Sequence, residues 1–208
     1  EPTGWAPLIE TVSPSASAIG DTTPGDTTPE AGLLAPDTAD GAVDDTEAEA
    51  RREARDAALA HGTAVHRWLQ LAVEGGAMPR GDGPAHAEAA AVFANPEHDA
   101  IFRPACGRVL CEAAVMAHLP RLGDGPERRL LGVVDLLRID DGEIVVVDYK
   151  TNRVDATGLA PVVEHYRAQM KAYREALRAC EPERPVRCLL LFTGLAGDRG
   201  PGRLVAVD

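Results

Sequence analysis

A chain of 208 residues, 45% apolar and 26% charged, has the size of one ordinary domain plus a tail and the composition of a soluble globular protein. The absence of any run of 18 apolar residues excludes a transmembrane helix, and the absence of a basic-then-apolar leader argues against secretion. The net charge of −12 argues against a nucleic-acid partner only until its distribution is seen: residues 1–50 hold 11 Asp and Glu and no Lys or Arg, so the remainder is almost neutral and a local basic stripe can still bind a polyanion.

The first residue is Glu1 rather than Met, which fits a piece of a longer protein. Residues 11–47 are rich in Ser, Thr, Pro, Gly and Asp, as in Gly20-Asp21-Thr22-Thr23-Pro24, and cannot bury enough apolar surface to offset their ordering entropy. Residues 1–47 are therefore expected to be an acidic, disordered linker and 48–208 a folded domain. A helical pattern begins near Glu47, capped by Asp44, Asp45 or Thr46, and runs to about Ala60. Gly62-Thr63 predicts a break or kink. A second helix to Glu74 follows, with Val65, Leu69 and Val73 on one face beside Trp68 and Ala72. A third helix is expected over 85–94 and a short one around 96–102.

The pattern changes at Gly107. Strands are predicted over 107–117, 129–139 and 143–150. In the third, Ile144-Val145-Val146-Val147 is apolar on both faces, which belongs to a central strand covered on both sides. A helix from Leu159, with Pro161 in its first turn, runs to Ala179. Strands over 186–193 and 204–207 complete an α-βββ-αβ order, a mixed α/β (α+β) sheet covered by helices. The four cysteines, Cys106, Cys111, Cys180 and Cys188, contain no C-x-x-C pair; they read as reduced thiols, with a zinc or iron–sulfur site as the alternative, and a cytoplasmic location is expected.

The chemistry concentrates in the hairpin. With Asp141-Gly142 as a two-residue turn, Ile139 pairs with Ile144 and Asp135 faces Asp148. A three-residue turn with a bulge would shift that register. Directly opposed carboxylates lie about 5 Å apart and repel when buried, so a divalent cation with oxygen ligands is the natural compensation. Lys150 lies two residues past Asp148 and so on the same strand face, in a chain with 19 Arg and only two Lys. Two aspartates and a lysine so placed suit metal-dependent phosphodiester hydrolysis. A surface hairpin with a solvated Asp–Lys pair would show the same Asp-x-Lys spacing.

Four motifs occur in order: Gly62-Thr63-Ala64-Val65-His66, Gly132-Val133-Val134-Asp135, Asp148-Tyr149-Lys150-Thr151 and Gln169-Met170-Lys171-Ala172-Tyr173. Together they resemble the RecB-type nuclease domain of the PD-(D/E)XK superfamily, most like the C-terminal nuclease module of AddA-type helicase–nucleases, over about residues 50–208. The resemblance implies a restriction-endonuclease-like core with extra N-terminal helices and a Mg²⁺-dependent DNA exonuclease acting in double-strand-break repair, with Mn²⁺ able to substitute. It implies His66, Asp135, Asp148 and the main-chain carbonyl of Tyr149 as metal ligands, Glu112 as a glutamate near the metal, Asp135 and Asp148 as catalytic carboxylates, and Lys150 as the catalytic lysine. Gln169 and Tyr173 would flank the site and help hold DNA. Relatives with an iron–sulfur cluster carry three closely spaced cysteines after the Gln–Tyr helix; only Cys180 and Cys188 follow here, so no cluster is expected. No Walker A motif is present, so any unwinding would come from a missing part of the chain or from a partner; the resemblance implies a helicase domain in the full-length chain and a second helicase–nuclease subunit. The alternatives are a free-standing DNase and a catalytically silent DNA-binding or scaffold module.

Overall fold

The computed structural model describes residues 9–12, 45–119, 127–154, 158–198 and 200–207. Six strands form one sheet: β1 (Ile9–Val12), β2 (Arg108–Leu119), β3 (Glu127–Ile139), β4 (Ile144–Lys150), β5 (Val186–Gly197) and β6 (Gly200–Val207). Its order is β1-β3-β4-β5-β6, with β2 also paired to β3. The helices are α1 (Asp45–Gly75), α2 (Gly83–Phe93), the short α3 (Asp99–Phe102) after a 3-10 turn at Pro96–His98, and α4 (Leu159–Cys180).

Alternation along β4 builds two cores. Every residue of β4 is buried. Ile144 and Val146 face one side and pack with Leu190 and Phe192 of β5 against Tyr166, Met170 and Tyr173 of α4. Val145, Val147 and Tyr149 face the other side and pack with Leu189 and Leu191 against Val65 and Leu69 of α1, Val92 of α2 and Phe102 of α3. The sheet is thus sandwiched between α4 and the N-terminal helices, the mixed α/β architecture of a restriction-endonuclease-like core. β4 and β5 run parallel with α4 as the crossover, while β2–β3, β3–β4 and β5–β6 are antiparallel.

The hairpin has the predicted register. Ile139 pairs with Ile144 and Leu136 with Val147. Asp140 closes the turn: its Oδ1 accepts from the amides of Gly142 at 2.8 Å and Glu143 at 2.9 Å. Those two backbone donors hold the Asp140 carboxyl below the usual carboxylate range. Buried Arg138 pairs with Asp140 and Glu143 and donates to the Ala100 carbonyl at 2.7 Å, tying the hairpin to α3.

Two expectations need correction. Gly62-Thr63 does not break the first helix; α1 is continuous through it. Val65, Leu69 and Ala72 are fully buried against the sheet, and that burial outweighs the roughly 1 kcal/mol a mid-helix glycine costs. The short helix around 96–102 divides instead into the 3-10 turn and α3, because Asn95 caps the Glu97 amide and Pro96 opens a new turn. Of the expected linker 1–47, residues 1–8 and 13–44 lie outside the described residues, whereas Ile9–Val12 pairs in parallel with β3. No described helix is long and apolar enough to cross a membrane.

Candidate active site

The β3–β4 ladder ends at Leu136↔Val147. One step further, a side chain replaces the backbone partner: Asp135 Oδ2 accepts the Tyr149 amide at 2.6 Å. Its other oxygen lies 3.2 Å from Nδ1 of His66, which α1 delivers across 69 residues of sequence. Burial opposes the charge on Asp135, but His66, the Tyr149 amide and Lys150 outweigh it and hold the carboxyl below its ordinary range.

Glu112 joins from β2. The pairs Cys111↔Leu136 and Ala113↔Val134 flank it, so the register sets Glu112 opposite Asp135. Its backbone has φ 48°, the left-handed region, and it is the one non-glycine residue with positive φ among those described. Such a conformation costs on the order of 1–3 kcal/mol and tends to collect at functional sites. Burial, and then the Asp135 charge, push the Glu112 carboxyl up. His66, Glu112 and Asp135 each bring a ligand atom within 4.8 Å of the others.

Asp148 and Lys150 stand beside this cluster, on the α4 face of β4. Lys150 Nζ lies 2.7 Å from Asp148 Oδ2, and both side chains are almost fully buried. Gln169 Nε2 approaches Asp148 Oδ1 at 3.5 Å, at the long limit of a hydrogen bond. Burial pushes the Asp148 carboxyl up to about 6; Lys150 pulls it back and Asp135 pushes it further. The two aspartates therefore feel one another's charge, although the ladder ends at Leu136↔Val147, one step short of the expected Asp135–Asp148 pair. Tyr173 donates through its hydroxyl to the Val133 carbonyl at 2.6 Å, bracing α4 on β3.

The structure thus groups His66, Glu112 and Asp135 as the nearest ligand set and places Asp148, Lys150 and Gln169 as a second set alongside. Tyr149 links them: its amide bonds Asp135 and its ring meets the His66 ring edge-on at 5.5 Å. Sequence reasoning passed over Tyr166, Thr193 and Glu88. Tyr166 places its ring 3.7 Å from Lys150 Nζ. Its spacing of three from Gln169 on one helix face was the available signal. Thr193 donates to Glu88 at 2.5 Å, also lies 3.3 Å from the Lys150 carbonyl, and Glu88 in turn bonds His61 at 2.8 Å. No local motif marks that relay, because its members come from four separate elements.

One imidazole with carboxylates on two adjacent strands is a donor set for a hard divalent cation, and a buried Asp–Lys pair beside it supplies a fixed ammonium. A solved protein, SSO0001, shares 20% identity over 48% of this chain and 42% of its own, with a TM-score of 0.32. An ATP-dependent helicase/nuclease subunit of Desulforudis audaxviator (strain MP104C) is 39% identical over 62 residues, 29% of this chain and 5% of that protein. The aligned segment is therefore a small fraction of that relative's length. The family model that describes the PD-(D/E)XK nuclease superfamily matches residues 43–206, which takes in α1, the hairpin and α4 with every side chain described above. On that match across most of its length, the chain belongs to the PD-(D/E)XK nuclease superfamily.

Proposed function

We propose that this domain is a Mg²⁺-dependent deoxyribonuclease, an exonuclease that works within a helicase–nuclease in double-strand-break repair. The observation that carries the reading is the juxtaposition of the His66–Glu112–Asp135 cluster with the Asp148–Lys150 pair. The donor set fits a hard cation: His66, Glu112, Asp135, Asp148 and the Tyr149 carbonyl would hold Mg²⁺ or Mn²⁺. A bound divalent ion supplies Lewis-acid polarisation of the phosphate and eases loss of a proton from water.

The chain's own groups do the rest. Lys150, fixed by Asp148, positions a water and steadies the charge that gathers on the phosphate oxygens in the transition state. The water oxygen bonds to phosphorus as the P–O3′ bond breaks, which leaves 5′-phosphate and 3′-hydroxyl ends. Gln169, in reach of Asp148, helps keep that carboxylate oriented. The helicase context, with a helicase domain in the same full-length chain and a second protein partner of the same class, draws on the partial identity to the helicase/nuclease relative.

The test is cleavage of linear single- and double-stranded DNA with Mg²⁺, against chelator and Lys150→Ala controls. The expected result is metal-dependent degradation that falls by roughly a thousandfold in Lys150→Ala. Undiminished cleavage by a folded Lys150→Ala protein would overturn the mechanism.

A further inference from the structure

A lysine is among the residues least often buried, because its ammonium loses hydration that something must replace. Lys150 is 2% exposed. Asp148 supplies one replacement at 2.7 Å. A carboxylate contact limits how far the ammonium can stray but does not by itself fix the direction of the four-carbon stem. A contact of another kind comes from a different layer of the fold. The ring of Tyr166, itself 2% exposed, presents its face 3.7 Å from Nζ, well inside the reach of a cation–π interaction. Tyr166 is anchored among Val162, Met170 and Tyr173 on the buried side of α4. The ring therefore holds its place as rigidly as the helix does.

We propose that Tyr166 is a positioning residue for Lys150: the face of its ring holds the buried ammonium so that the lysine meets the scissile phosphate in one fixed orientation. The inference rests on the nuclease reading of this site. It differs from treating Tyr166 as core filling in what it demands of the ring. A filler needs only volume, whereas a cation–π contact needs the negative electrostatic potential of the ring face, which fluorination removes at almost constant size.

The experiment uses the full chain with Tyr166→Phe as reference, phenylalanines bearing one, two and three ring fluorines at the same position, and Tyr166→Leu. DNA cleavage is followed with Mg²⁺. The expected result is a stepwise fall in kcat with each fluorine and about a 30-fold fall in Tyr166→Leu, with KM for DNA little changed. A metal-free readout accompanies it: the ε-methylene protons of Lys150 are shifted upfield by the ring in the native chain and in Tyr166→Phe, and not in Tyr166→Leu. A flat fluorine series in an active enzyme overturns the proposal, and so do unshifted Lys150 methylenes in the native chain. Absence of cleavage by the native chain overturns the nuclease reading instead, and the proton shift still decides whether the ring holds the lysine.

Discussion

Asp135 and Asp148 are one residue type on neighbouring strands, and their surroundings drive them in opposite directions. Asp135 keeps its proton off because His66 and the Tyr149 amide serve its charge, whereas burial raises Asp148 to about 6. The folded chain thus holds a proton on Asp148 between its ordinary value near 3.8 and about 6, a range in which the unfolded chain has released it. This group's contribution to stability is complete below the unfolded value and is lost as pH rises through 6. In metal-free protein, the stability of Asp148→Asn relative to the native chain is expected to move in the variant's favour between pH 4 and pH 7, by on the order of 3 kcal/mol. Denaturant titrations at both pH values measure it, and parallel curves would contradict the assignment. Cysteine chemistry gives a second expectation. Burial, with Glu74 and Glu112 nearby, pushes the Cys111 thiol up to about 11, and burial also raises Cys188, whereas Cys106 and Cys180 are exposed. Iodoacetamide at pH 8 should therefore label Cys106 and Cys180 first, with Cys111 slowed by about a hundredfold, the ratio of thiolate lost when its own pKa rises by two units. Mass spectrometry of timed digests would show equal rates if the burial were mistaken.

At the scale of elements, the β3–β4 hairpin depends on a residue outside it. Gly107, just before β2, has φ +85°, and a Cβ there would run into the Ile139 carbonyl oxygen and the Asp140 side chain. The obstacles are the last residue of β3 and the turn residue after it, and a backbone carbonyl in a ladder does not swing aside. Gly107→Ala is expected to cost about 2 kcal/mol or more, the sum of left-handed strain and a backbone clash. Gly75→Ala, at a position with nothing within 4 Å, serves as the control and should be nearly neutral. Urea midpoints decide the matter, and equal midpoints for the two variants would remove Gly107 from the hairpin's support. The same scale explains the long α1. Gly62 lowers helix propensity locally, but Val65, Leu69 and Ala72 on the following turns are fully buried, and tertiary packing decides helix continuity.

At the scale of the whole molecule, three elements from two layers have to assemble before the ligand cluster exists, because His66 comes from α1, Glu112 from β2 and Asp135 from β3. A cation that binds only the assembled site must stabilise the fold. Mn²⁺ at about 100 times its Kd should add roughly 2.7 kcal/mol to native stability. Asp135→Asn should lose most of that gain in a thermal scan with and without the ion; a variant stabilised as much as the native chain would place the ion elsewhere. Much of this was legible before any coordinates. The apolar run Ile144–Val147 marks β4 as central, Asp141-Gly142 sets the pairing of Ile139 with Ile144, and the spacing of Asp148 and Lys150 puts them on one face. These are properties of short segments, set by side-chain alternation and turn geometry, so a linear reading reaches them. Only the tertiary structure decided that Glu112 takes a left-handed conformation opposite Asp135, that α1 runs unbroken to carry His66 to the sheet, that Ile9–Val12 pairs with β3, and that Tyr166 covers Lys150. Each is a meeting of segments distant in sequence, and its energy comes from surface buried jointly by layers whose order no local pattern encodes.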